Sequence, residues 1–261
     1  MRPTLAIILL AAIALSGCNG AAKNVNSNAN SNANSNSAVL FKPPAPIKPN
    51  EAADPNFKPC NPYFPLVPGS IAKYVINYSS GLVGDLTVIV DAAEEEGRKV
   101  FTQRSQLVDR SGGMQISQST TRRFVCDGER VLILFEKTES NVAGEQSSSG
   151  SEFRANSVVM TDPQSIGRKG TTWTNSFRQL FLRPGQDPVP SDETTVVIFE
   201  VADPEEVTTP AGTFKAVTIT RKIGENGTTD YYVPGLGLVK RRAKEGTSWE
   251  LREYSGLKAL S

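Results

Sequence analysis

Histidine is absent from the 261 residues, which excludes a Ser-His-Asp triad, a Cys-His dyad, an imidazole zinc site and a histidine pH switch. Chemistry must come from cysteines, carboxylates and a few serines. Of the 3 cysteines, Cys60 and Cys126 form an even pair once Cys18 is set aside. In an oxidising exterior they read as a disulfide, contributing roughly 4 kcal/mol by the loop-entropy argument. The alternative is two separate thiols, one of them buried as a small apolar side chain. No Cys-x-x-Cys spacing accompanies them, which argues against a redox or zinc role. Ser255-Gly256-Leu257-Lys258 has the S-x-x-K spacing of serine acyl enzymes. It lies near the chain end without S-D-N or K-T-G, so chance is the better reading.

Glu94-Glu95-Glu96 and Asp203-Pro204-Glu205-Glu206 have the composition of a calcium site or of a glycosidase carboxylate pair. Each sits beside Gly or Pro between strand candidates, where solvated turns normally carry charge. Lys240-Arg241-Arg242 reads as a solvated edge strand, or as a contact for anionic headgroups. Trp173, Phe177, Phe181 and Trp249 suit either the core or an apolar groove, with Trp173 and Trp249 as candidate liners. No catalytic, metal or cofactor site emerges, and the expectation is a non-enzyme. With 28 Lys+Arg against 27 Asp+Glu, the balance of charge argues against a nucleic-acid partner.

The N-terminal region supplies an address. Met1 and Arg2 precede an Ala/Ile/Leu run, Leu5 to Leu15, too short to span a bilayer as a helix but of secretory-signal length. It ends in Leu15-Ser16-Gly17-Cys18, which resembles the lipobox of bacterial lipoproteins. The resemblance implies recognition of Leu15, Ser16 and Gly17 by signal peptidase II, cleavage before Cys18, and lipidation of the Cys18 thiol and new amine. Asn19 in place of Asp favours an outer-membrane or surface location over the inner membrane. The partner implied is the membrane, reached through a lipid anchor. Removing residues 1–17 deletes Arg2 and no acid, leaving the mature chain formally neutral.

Residues 18–56 read as a disordered tether. Asn occupies every even position from Asn24 to Asn36, and more than half of the 17 prolines fall between Pro43 and Pro68. Residues 57–261 read as one β-rich domain. Ile71–Tyr78, Leu86–Ala92, Val100–Val108, Val131–Phe135, Thr195–Val201, Phe214–Thr220 and Trp249–Tyr254 have strand composition, and Val197, Phe199 and Val201 alternate with Val196, Ile198 and Glu200. Asp127-Gly128 and Asn226-Gly227 mark hairpins. Residues 140–151, rich in Ser, Gly and Glu, read as a mobile loop. The fold class is therefore all-β, an antiparallel sheet curved into a half-barrel or sandwich.

Pro210-Ala211-Gly212-Thr213-Phe214 and Asp230-Tyr231-Tyr232-Val233-Pro234-Gly235-Leu236-Gly237-Leu238-Val239-Lys240 resemble the C-terminal signature of uncharacterised β-rich domains in bacterial periplasmic and lipoprotein sequences. Tyr63-Phe64-Pro65-Leu66 fits their opening. That resemblance implies a curved half-barrel like those of lipoprotein carriers, which bind acyl chains on the concave side. The functional expectation is a non-catalytic envelope lipoprotein that binds an amphiphile or envelope component. The alternatives are an assembly module engaging a protein or glycan through an edge strand, and a carboxylate-based hydrolase.

Overall fold

The first strand, β1 (Ile71–Asn77), shows the rule that builds the domain. Ala72, Tyr74 and Ile76 are buried while Ile71, Lys73 and Val75 keep part of their surface, the period-2 pattern of a strand with one packed face. A computed structural model describes residues 44–109, 116–142, 144–154, 157–182 and 186–260. Cys18, with Leu15, Ser16 and Gly17 before it, lies outside the described residues.

Long hairpins follow β1: β2 (Val83–Glu95), β3 (Arg98–Asp109), β4 (Ile116–Asp127), β5 (Arg130–Val142) and β6 (Glu145–Phe153). A short β7 (Val158–Met160) and a single helical turn, α1 (Pro163–Ile166), interrupt the series. Then come β8 (Thr172–Phe181), β9 (Val189–Val201), β10 (Glu205–Thr209) and β11 (Gly212–Ile223). The last three are β12 (Asn226–Val233), β13 (Gly237–Ala243) and β14 (Ser248–Ser255).

The protein is all-β and antiparallel, 64% strand and 2% helix, but it is a closed 12-strand barrel where a half-barrel or sandwich was expected. Twelve strands run in the order β11-β12-β13-β14-β1-β2-β3-β4-β5-β6-β8-β9, and β9 returns to pair with β11. That seam is four pairs long, from Ile219↔Val201 to Lys222↔Ile198. Closure gives backbone partners to the two edges that an open curved sheet would leave to water. Above the seam β9 keeps one unpaired edge among the described residues, where Pro190, Asp192 and Glu193 discourage strand addition.

Three sequence readings are corrected here. The Ser/Gly-rich stretch expected as a loop is β6, paired to β5 from Phe135↔Glu152 to Val142↔Glu145. Low β-propensity is overridden because both neighbours of this strand supply ladder bonds. The second hairpin turns at Gly224-Glu225, with Gly224 at φ 56°, two residues before Asn226-Gly227. Part of the stretch read as a tether is also held on the domain. Residues 45–50 lie against the outer faces of β2 and β3, where Asp91 accepts from the Asn50 amide at 2.7 Å, Lys48 O accepts from Arg104 and Ala45 O from Gln106.

One end of the barrel is plugged. Leu66, Phe101, Phe124, Val131, Met160 and Ile166 form a tight apolar core, with Phe64 edge-on to Phe124 at 5.2 Å. Cys60 is disulfide-bonded to Cys126 at the end of β4. Beside it Asn61, fully buried, donates to Glu129 O and Thr161 O at 2.8 Å and accepts from the Tyr63 and Phe64 amides. Asn61→Ala removes the side-chain partner of four part-buried backbone groups and is expected to cost about 2 kcal/mol. A thermal melt should record this as a fall of roughly 4–8 °C in Tm.

Candidate functional site

Residues directly opposite in a ladder share a face, so the register can be followed around the barrel. From β4 the lumen face runs Arg122↔Glu136, Glu136↔Ser151, Ser151↔Gln179, then Trp173↔Phe199 and Phe199↔Arg221 across the seam. It continues Arg221↔Thr228, Ile219↔Asp230, Asp230↔Arg241 and Arg241↔Trp249, and returns to Arg122 through Gln103. The lumen face therefore carries the guanidinium groups of Arg122, Arg221 and Arg241 and, among its carboxylates, those of Glu136, Asp230 and, through the Gly84↔Asp109 pairing, Asp109.

Asp230 and Glu136 are both engaged by arginines. Asp230 receives a bidentate clamp from Arg241, Nε to Oδ1 at 2.6 Å and Nη2 to Oδ2 at 2.7 Å, and the Tyr232 hydroxyl lies 3.4 Å from Oδ2. Burial would raise the Asp230 pKa, but the Arg241 charge outweighs it and holds the carboxyl below its usual range. Burial likewise opposes the charge on Arg241, and Asp230 outweighs it in turn. Arg122 is bridged to Glu136. The Tyr74 hydroxyl donates to Leu238 O at 2.8 Å, and burial raises the pKa of both Tyr74 and Tyr232.

Arg221 is different. Its Nε donates to the Thr228 hydroxyl at 3.2 Å, but it forms no carboxylate pair among the described residues. Its Nη2 is buried and finds no acceptor there. Burial first, and then the neighbouring Arg241, push its pKa down to about 10, so it remains a cation at neutral pH. Two further lumen atoms are buried and unpartnered: Trp173 Nε1 and Asn175 Oδ1. Lumen-facing Gln103, Gln118, Arg122, Gln179, Thr195 and Thr228 all keep part of their surface exposed. A side chain that points into a closed barrel can do so only beside accessible space, so this polar part of the lumen is not completely filled by side chains.

The candidate liners occupy opposite ends of one arc of wall. Trp173 stacks on Phe199 at 5.0 Å and 3°, while Trp249 lies under the Arg241 guanidinium at 4.6 Å. They do not share an apolar groove; Arg221 and Arg241 stand between them in ladder order. Phe177 packs on Phe153, and Phe181 is 52% exposed at the end of β8. Lys240-Arg241-Arg242 is no edge strand: β13 has β12 and β14 on its two sides, Arg241 enters the lumen, and Lys240 pairs with Glu250 at 2.7 Å. Of the acidic turns, Glu95 bonds Arg123 and Asp203 bonds Lys169. No cluster of three metal-ligating side chains occurs among the described residues.

Arg221 and Asp230 escape a reading of charge runs, but alternation carries their signal. Val217, Ile219 and Arg221 share one face of β11, which puts a cation on an apolar stripe. Outside the lumen, a groove of about 630 Å³ lies beside the disulfide, lined by Phe57, Lys58, Arg98, Lys99, Phe101 and Leu132 among others. Its Lys99 ammonium is already seated over the Phe57 ring at 4.8 Å.

No curated protein and no solved structure matches this chain. The DUF3108-like family matches residues 77–254, from the end of β1 through nearly all of β14. On that match, which covers more than half of the chain and almost the whole barrel, the protein belongs to the DUF3108-like family.

Proposed function

We propose that this chain is a lipid-anchored envelope protein whose barrel is a non-catalytic binding domain, taking the anionic head of an amphiphile or other envelope component into its lumen. Arg221 carries the reading. A guanidinium whose Nη2 is buried without an acceptor and without a contacting carboxylate is costly in the free protein, and an entering anion would offset that cost. The Leu15-Ser16-Gly17-Cys18 pattern supports the anchor, and Asn19 the outer membrane. Pairing of Glu136 and Asp230 with arginines argues against a hydrolase built on those two acids, which would need a free acid and base in one pocket. The plugged end is packed with side chains, so the accessible space suits a headgroup better than a buried acyl chain.

Trp173 and Trp249 flank the site and report on it. Dodecyl phosphate is expected to change the tryptophan emission of the mature chain saturably, and dodecyl maltoside to leave it unchanged. Arg221→Gln should weaken dodecyl phosphate at least tenfold, which corresponds to about 1.4 kcal/mol. The same variant should melt no lower than the parent, because it removes an unpaired buried charge. Equal binding by parent and Arg221→Gln would sink the proposal.

A further inference from the structure

The unpartnered lumen atoms are of two kinds. Arg221 Nη2 and Trp173 Nε1 are donors, whereas Asn175 Oδ1 is an acceptor on a buried residue. Trp173 and Asn175 are successive lumen-facing residues of β8, and Trp173 is in ladder register with Arg221 through Phe199. A plain anion has only acceptors. It can satisfy Arg221 and Trp173, but it leaves Asn175 Oδ1 with nothing. The wall that continues from Asn175 has the same character: Ser151 and Gln179, Thr120 and Thr138, Gln118 and Ser140 all face the lumen as ladder or hydrogen-bonded pairs. Hydroxyl and amide groups of this kind donate and accept, and they match a ligand that does both.

Geometry sets the size. β8 and β11 are separated by β9, so their facing residues lie roughly 10 Å apart along the wall. Inorganic phosphate cannot bridge that span, whereas a monosaccharide phosphate or a glycerol phosphate headgroup can. We infer that the lumen ligand is a hydroxylated anion, with its acidic group at Arg221 and Trp173 Nε1 and a hydroxyl donating to Asn175 Oδ1. The inference rests on the lumen reading above and adds the hydroxyl requirement. The shared chemistry is a polyol phosphate, available either as a free sugar phosphate or as a lipid headgroup.

The test titrates the mature chain with glucose 6-phosphate, lyso-phosphatidylglycerol and dodecyl phosphate, following tryptophan emission. At least one of the two hydroxylated probes should bind the parent more tightly than dodecyl phosphate. Asn175→Ala should weaken that probe about tenfold and leave dodecyl phosphate within twofold. Binding by glucose 6-phosphate assigns the free sugar phosphate as the source; binding by lyso-phosphatidylglycerol alone assigns the lipid headgroup. Because Asn175 Oδ1 has no internal partner, a thermal melt of Asn175→Ala should show the fold intact. An equal effect of Asn175→Ala on all probes, or none on any, overturns the hydroxyl requirement while Arg221 dependence persists. Loss of Arg221 dependence as well overturns the lumen reading itself.

Discussion

Replacing Cys60 and Cys126 together with alanine is expected to lower the unfolding free energy by about 4 kcal/mol, with Tm falling by roughly 8–16 °C. The bridge spans a sequence separation of 66 and encloses β1, β2, β3 and nearly all of β4. Its removal frees that segment in the unfolded chain, where most of the effect arises in the loop-entropy account. In the native state the plug has other attachments: Phe64 against Phe124, Leu66 in the core and the four bonds of Asn61. The variant should therefore stay folded at room temperature and show its deficit in denaturant or heat. Dithiothreitol should lower the parent's Tm by a similar amount and leave the double variant unmoved. A deficit below 1 kcal/mol would mean that the reduced, unfolded chain already keeps the plug near β4.

The strands were legible because alternation is local. Six of the seven runs of apolar and β-branched residues fall within observed strands and the seventh, Ile71–Tyr78, passes the end of β1 by one residue. Val131-Leu132-Ile133, apolar on both faces, is buried on both, with Leu132 packed on the outer side against Val100, Val125 and Val158. Closure was not legible. It depends on the curvature of strands up to 13 residues long and on a seam of four pairs between β9 and β11. Nothing in either segment marks it as the last partner of the other.

The site was hidden for a related reason. A run such as Lys240-Arg241-Arg242 looks solvated when read as composition, yet strand geometry sends alternate residues to opposite faces. Arg241 enters the lumen while Lys240 stays on the outer face with Glu250. Likewise β6 is too rich in Ser and Gly to look like a strand. Its serines make sense only once Ser149 and Ser151 are seen to face a polar lumen, which is a property of the closed barrel.

Asp230→Ala is expected to cost 3–5 kcal/mol, within the range found when one member of a buried ion pair is removed, roughly. The reason lies in the count of lumen charges. Arg122 is matched by Glu136 and Arg241 by Asp230, whereas Arg221 has no carboxylate in direct contact among the described residues. Without Asp230, Arg221 and Arg241 face each other with no carboxylate between them. Asp230→Asn separates charge from shape, since the amide fits the same space but cannot neutralise Arg241. Because the folded Asp230 pKa lies below its unfolded value, its contribution is fully present above the unfolded pKa near 4 and is lost as pH falls through the folded pKa. The stability gap between parent and Asp230→Asn should accordingly be flat from about pH 5 to 8 and shrink only below about pH 4. Adding Arg221→Gln to Asp230→Asn should recover part of the loss, since it relieves the repulsion that Asp230 had balanced. Simple additivity of the two substitutions would show that the two arginines do not sense each other through the lumen.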